Sequence, residues 1–262
     1  NPKVAAERQR NSHPTTRMNL LDLTLPSPAE NLAGDEALLA TAEAGAGGEV
    51  LRFWESPKPF VVVGYANKVA SEVNVATCAA RGIPILRRCS GGGTVVQGPG
   101  CLNYALILRI QADRPTGSIS TANQFIMERN RAALAHAASA LLHPPSEFRV
   151  QGHTDLTLDG LKFSGNAQRR HRQFLLFHGT LLLDFDLSLV SELLLMPTLQ
   201  PTYRDRRNHD HFLTQLPVSR DQAKTALVHA WQADAPLSDL PPLRIRELVA
   251  EKYSRAEWNF KF

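Results

Sequence analysis

The stretch Ile83-Pro84-Ile85-Leu86-Arg87-Arg88-Cys89-Ser90-Gly91-Gly92-Gly93-Thr94-Val95-Val96 decides how the chain is read. Ile83–Arg88 has the β-branched, apolar character of a strand, and it runs straight into a glycine-rich loop. Three adjacent glycines carry an entropic cost that a plain turn does not require. Without side chains, their N–H groups can close around an anion as a concave nest. Arg88 at the loop's edge adds a planar cation suited to carboxylate or phosphate. No Gly-Lys-Ser/Thr follows and the spacing is not G-x-G-x-x-G, so neither familiar nucleotide loop is present. A flexible hairpin connection is the alternative reading.

Working outward, Asn31–Ala44 reads as a helix whose apolar side carries Leu32, Leu38, Leu39 and Ala42, broken by Gly45–Gly48. Val50–Trp54 and Phe60–Gly64 read as strands about a Ser-Pro-Lys-Pro turn, and Asn74–Arg81 as a short helix stopped by Gly82. Downstream, Asn103–Leu108 is a strand, and Thr121–Leu142 is a long helix that Pro144-Pro145 ends. Asp155–Leu158 and Leu161–Ser164 flank Asp159-Gly160, a strong hairpin signal. Leu175–Asp184 is a strand, Leu187–Leu195 a helix, and Arg220–Gln232 and Arg244–Tyr253 are terminal helices. Strands and helices mix without strict alternation, which implies an α/β (α+β) fold with a mixed sheet flanked by helices. Residues 1–17 read as a polar, disordered leader and 18–262 as one catalytic domain, with 200–262 its helical C-terminal part.

Two further segments carry chemistry. Lys162-Phe163-Ser164-Gly165-Asn166-Ala167-Gln168 follows the hairpin turn, and alternation puts Lys162 and Ser164 on one strand face with Phe163 on the other. Lys162 is a fixed positive charge there, or a solvated lysine on an edge strand. Phe177-His178-Gly179-Thr180-Leu181-Leu182-Leu183 places a histidine in an apolar strand, where a satisfied core histidine is the alternative. Asp155 opens the hairpin as a divalent-metal candidate or a plain turn carboxylate.

Composition narrows the class. At 262 residues and 43% hydrophobic, the chain can build a sizeable core. The net charge of +4 is mild, and the basic clusters Arg169–Arg172 and Arg204–Arg207 read as solvated faces, so no nucleic-acid partner is expected. No run approaches the ~20 apolar residues of a membrane span. Three cysteines, Cys78, Cys89 and Cys101, lack metal-type spacing and fit a reducing compartment, so the expected location is cytoplasmic.

Taken together, Arg-Arg-x-Ser-Gly-Gly-Gly-Thr-Val, Gly-x-x-Asp-Leu, Lys-Phe-Ser-Gly-Asn-Ala-Gln and His-Gly-Thr-Leu-Leu closely resemble the lipoate–protein ligase family in order and spacing, over roughly Leu20 to Phe262. The resemblance implies a fold shared with biotin protein ligases and the class II aminoacyl-tRNA synthetase core. It implies an acyl-adenylate made from ATP, Mg2+ and lipoate or a similar acid such as octanoate, then transfer to a lysine of a lipoyl-domain carrier protein. By that resemblance Arg88, Ser90, Gly91, Gly92 and Gly93 line the acid and phosphate pocket. Lys162 bridges carboxylate and α-phosphate as the catalytic residue, Asp155 is the magnesium carboxylate, Trp54 walls the acyl tail, and His178 is the pocket histidine. Gln97, Asn103, Ser164, Gly165 and Ala167 complete the binding set.

Two departures stand out: Gly152-His153-Thr154-Asp155 replaces the usual Gly-Arg-Asn-Asp, and Gln97 replaces a histidine found in some members. An octanoyltransferase would need a catalytic cysteine, and neither Pro144–His153 nor the stretch after the His178 strand supplies one. Cys89 reads as a packing residue. A biotin ligase lacks its Gly-Arg-Gly-Arg-x-x-Arg-type loop here, and a non-catalytic carrier-binding relative is the remaining alternative. The larger ligases continue into a small domain, so a separately encoded accessory protein is expected to supply a lid. That expectation treats Arg204–His211 as mobile rather than as a packed cover.

Overall fold

A computed structural model describes residues 17–142 and 146–262. The expected leader lies outside the described residues except for Arg17, and so does the Pro144-Pro145 helix stop. In chain order the elements are β1 (Asn19–Asp22), α1 (Pro28–Glu43), β2 (Val50–Trp54), β3 (Phe60–Val63), α2 (Val69–Glu72), α3 (Val75–Ala80), β4 (Ile85–Arg87), β5 (Val95–Gln97) and β6 (Cys101–Arg109). Then come α4 (Ile119–Ala138), β7 (Phe148–Gln151), β8 (Asp155–Leu158), β9 (Leu161–Arg170), β10 (Phe174–Leu182) and α5 (Ser188–Leu193). The chain finishes with α6 (Arg220–Trp231), β11 (Ala235–Pro236), α7 (Pro242–Leu248), a π-helical turn at Val249–Tyr253 and α8 (Ala256–Asn259).

Eight strands form one sheet in the order β11-β1-β2-β6-β10-β9-β8-β7, and β4-β3-β5 form a second, smaller one. Both mix parallel and antiparallel pairs, as expected from the irregular element order. Alternation along β2 sorts the layers. Leu51 and Phe53 join the apolar layer that includes α4 and α6, whereas Val50 and Trp54 join the layer under α1 and α7. Arg52 shares the α1 face by the same period of two. The small sheet packs with α3 and α5 as a third layer.

Local signals explain several boundaries. Ser27 caps α1 in a capping box with Glu30, so the helix begins at Pro28, three residues before the expected Asn31. Asp159 and Gly160 both adopt positive φ, 50° and 79°, which suits the two-residue turn joining β8 to β9. The expected second terminal helix starts at Pro242 and loosens into the π-helical turn. The 200–262 part also contributes β11 to the sheet edge, so it is not purely helical.

The expected alternation along β9 fails at one place. The β8–β9 register steps between Leu156 and Thr157, with Thr157 facing Lys162 but Leu156 facing Ser164. Phe163 is therefore an extra, bulged residue. It packs at full burial in the α4–α6 layer, and Ser164 pairs with Leu181 of that layer. Lys162 lies over Gly165 instead: a Cβ on Gly165 would sit 2.9 Å from the lysine Nζ. Lys162 and Gly165, rather than Lys162 and Ser164, share the site face.

Candidate active site

Strand register lays out the site. Trp54 pairs with Asn103, Asn103 with Thr180, Thr180 with Gly165, and Gly165 with Asp155. These five residues form one rung across β2, β6, β10, β9 and β8. Four strand spacings span about 19 Å from an aromatic end to a charged end. A second rung, Arg52–Ala105–His178–Ala167, runs beside it. Over these rungs lies a cleft of about 550 Å³, the size of a small-molecule site. Leu32 and Asp35 of α1, and Val62, Val95, Val96 and Gln97 of the small sheet, wall one side. The chain from 197 to 213 forms a strap on the other, lining the cleft with Pro197, Gln200, Pro201, Arg204, His209 and Phe212 among others.

The charged end is built around Lys162. Its Nζ lies 2.8 Å from Asp155 Oδ1, with the two side chains 23% and 14% exposed. The Tyr203 hydroxyl donates to the other oxygen, Oδ2, at 2.7 Å. Burial first, and then the Asp155 charge, push the Tyr203 phenol well up, so it stays a donor. The absent Cβ of Gly165 leaves room for the lysine head.

A second charged chain lies behind the cleft. Arg52 Nη1 donates to Asp35 Oδ1 at 2.6 Å, with both side chains sealed from water. Asp35 Oδ2 lies 3.1 Å from His178 Nδ1, and His178 Nε2 lies 2.6 Å from Ser90 Oγ. An ionised carboxylate only accepts, so Nδ1 carries a proton and donates to Asp35. Burial alone would raise the Asp35 carboxyl, but the Arg52 charge and the His178 hydrogen bond outweigh it and hold it below the ordinary value. The order serine–histidine–aspartate resembles a nucleophilic triad. However, Ser90 is fully buried and off the cleft wall, so here the chain orients the histidine and anchors the loop.

The glycine loop is held from within. Arg88 donates through Nε to Ser90 Oγ at 3.1 Å and Gly91 O at 3.1 Å, and through Nη2 to Gly91 O at 2.5 Å and Gly93 O at 2.8 Å. Burial pulls its guanidinium down to about 10. Gly92 takes a left-handed φ of 85°, and a Cβ there would meet Arg88 Nη2 at 3.0 Å.

A sequence model of the lipoyl protein ligase A/B catalytic domain matches residues 27–228. The chain belongs to that family. Among curated relatives, an octanoyltransferase LipM of Halalkalibacterium halodurans is 26% identical, covering 89% of this chain and 95% of the relative. A putative lipoate-protein ligase A of Aeropyrum pernix is 30% identical, covering 82% of this chain and 74% of the relative. Among solved structures, a bi-partite lipoate protein ligase from Thermoplasma acidophilum shares the fold at a TM-score of 0.75 and 24% identity, covering 93% of this chain and 96% of that one.

Within this lipoyl ligase family member, Trp54, Arg88, Gly92, Gly93, Gln97, Asn103, Asp155, Lys162, Ser164, Gly165, Ala167 and His178 all line the one cleft. Ser90 and Gly91, expected with them, do not. Ser90 turns inward to His178, and Gly91 opens onto a smaller hollow with Tyr65, Cys89, Gln168 and Arg169, because the loop reverses at Gly92. At the apolar end, Trp54 Nε1 and Gln97 Oε1 are buried without a hydrogen-bond partner. Gln97 Nε2 donates to Thr180, which donates to Asn103. Among the described residues no group of three His, Cys, Asp or Glu gathers to hold a resident metal. Asp155 is one carboxylate with a lone pair left on each oxygen, so alone it does not make a resident metal site.

The strap departs from expectation at two residues. Arg204 and His209 are buried rather than solvated: Arg204 Nη2 lies 3.3 Å from His209 Nδ1, and His209 Nε2 lies 3.2 Å from Leu195 O. Arg204 and Arg207 both stack on Phe212. Segment polarity suggested a solvated stretch, and Asp205, Arg206, Asn208, Asp210 and His211 are exposed, but Arg204 and Arg207 are taken up by internal acceptors and an aromatic face. Sequence reasoning also missed Asp35 and Tyr203. Asp35 was findable, since it falls on the Leu32–Leu39 side of α1, where an isolated acid must have a buried partner.

Proposed function

We propose that this enzyme joins lipoate, or a short-chain relative such as octanoate, to a lysine of a lipoyl-type carrier protein through an ATP-derived acyl-adenylate. The observation that carries this reading is the cleft itself, apolar at Trp54 and cationic at Lys162, with no cysteine on its wall. Bringing a carboxylate to an α-phosphate joins two anions, so positive charge must be in place beforehand. Lys162 supplies it, and the Gly92–Gly93 N–H groups add donors. Asp155 would hold a magnesium ion together with the nucleotide phosphates, and that ion would supply further charge neutralisation. In the second half-reaction Lys162 steadies the oxyanion and the departing phosphate. The partner proposed here agrees with the Thermoplasma relative, described with its E2 lipoyl domain. The 197–213 strap walls one side of the cleft, and the proposed reaction is one that the chain carries out without a lid from an accessory protein. Three buried, unpaired thiols fit action in a reducing cytoplasm.

A second reading, acyl transfer between carriers through a thioester, is favoured by the octanoyltransferase relatives. It needs an accessible thiolate. Burial pushes the Cys89 thiol up to about 12 and raises those of Cys101 and Cys78 as well. The deciding experiment incubates the purified chain with an apo carrier domain and reads intact mass. One arm holds ATP, magnesium and free acid, and the other an octanoylated carrier without ATP. Product in the first arm, retained when all three cysteines are serine, supports the ligase. Product only in the second arm, lost in the serine variant, replaces it with the transferase.

A further inference from the structure

Lys162 is fixed from two directions by the same strap. Its backbone is clamped: Lys162 N donates to Phe212 O at 2.9 Å, and Thr214 N donates to Lys162 O at 2.9 Å. Its side chain reaches the strap through a relay, since Asp155 gives Oδ1 to Lys162 and Oδ2 to the Tyr203 hydroxyl. Tyr203 is itself seated, with its ring 5.3 Å from that of Phe212 and its carbonyl bonded by Arg207 at 2.8 Å. Two residues further on the chain reverses through two left-handed residues, Asp205 and Arg206, at φ 50° and 57°. Two adjacent non-glycine residues in that region carry strain that the surrounding contacts must hold.

The relay has a directional consequence. The Tyr203 hydroxyl on Oδ2 holds the carboxylate plane in one orientation, which aims Oδ1 at the ammonium, so the lysine head stops at one point over Gly165. Untied, the carboxylate rotates and takes the ammonium with both oxygens, which withdraws it from an incoming anion. We propose that Tyr203 is a positioning residue, which fixes the point at which Lys162 presents its charge to the reacting acyl group by holding the second oxygen of Asp155. This rests on the reading of Lys162 as the anion-binding lysine. It adds a strap residue that touches no reacting atom.

The test uses a non-hydrolysable acyl-sulfamate analogue of lipoyl-adenylate, titrated by calorimetry without magnesium so that ion binding at Asp155 plays no part. Tyr203→Phe keeps the ring on Phe212 and removes only the hydroxyl. The expected result is affinity weakened about tenfold, the scale of one hydrogen bond to a charged group, with an unchanged unfolding midpoint. Lys162→Ala loses more. In an Asp155→Asn background Tyr203→Phe produces no further loss, and the Lys162 side-chain ¹⁵N resonance shifts only where Asp155 is intact. Wild-type affinity in Tyr203→Phe together with failure of Lys162→Ala overturns the positioning role and leaves the reading of Lys162 standing. Undiminished affinity in Lys162→Ala, or no binding by the wild type, overturns both. The same loss from Tyr203→Phe with and without Asp155 overturns the route through the carboxylate, and the role with it.

Discussion

Two acid–base pairs serve one cleft, and they differ in exposure more than in chemistry. Asp35–Arg52 is closed at 2.6 Å, with its side chains 2% and 0% exposed. Asp155–Lys162 is closed at 2.8 Å but leaves 14% and 23% in contact with solvent. In the sealed pair nearly every donor is committed: Arg52 also binds Asn31 O, Asn31 Oδ1 and Leu23 O, and Asp35 holds His178. Such a pair cannot exchange partners without leaving a charge stranded in the interior. The half-open pair can, because an anion entering the cleft replaces part of what the lysine gives up. The contrast separates a pair closed off inside the fold from a pair open to whatever enters the cleft.

The comparison breaks most visibly at the sealed pair. Arg52→Met should cost about 3–5 kcal/mol of stability by leaving Asp35 unpaired, read as a fall in the urea midpoint. A cost under about 1 kcal/mol would place the two pairs in the same class. Lys162→Ala should do the converse. It should remove about 2.7–4 kcal/mol of transition-state stabilisation, a loss of roughly 10²–10³ in rate, while unfolding moves by about 0.5 kcal/mol or less. A large drop in stability instead would make Lys162 structural.

Gly165→Ala sharpens the same point, because its new methyl meets a flexible lysine end rather than backbone. The expected outcome is about a tenfold loss of rate from a displaced ammonium, with stability nearly kept, measured on the same two axes. The smallest effect is acid sensitivity. The folded Asp35 carboxyl lies below its ordinary value of 3.8, so its stabilising contribution is complete above that pH and is lost as pH falls below it. Wild-type stability should therefore decline below pH 3.8 with a component that Asp35→Asn lacks, visible in paired thermal melts.

Much of the candidate cleft's lining was legible in the sequence because its parts are local. The glycine loop, the Asp159-Gly160 turn and the His178 strand each announce themselves over a few residues, and twelve of the expected residues line one cleft. Three things were not legible. The bulge at Phe163 depends on how β8 pairs with β9, which no periodicity within β9 reveals. The inward turn of Ser90 depends on a partner 88 positions away. The strap's order depends on Phe212 and Leu195 accepting side chains that, read in isolation, look like solvated arginine and histidine. In each case the missing information was the identity of a distant partner.

The two main-chain bonds between Lys162 and the strap also make the enzyme's opening readable as a rate. Each closes a protected amide, one on Lys162 itself and one on Thr214. Neither proton can exchange with deuterium until the strap lifts from β9. The pair should therefore exchange together, at a frequency set by the local opening free energy rather than by global unfolding. An amide on Lys162 itself thus serves as the clock for that opening.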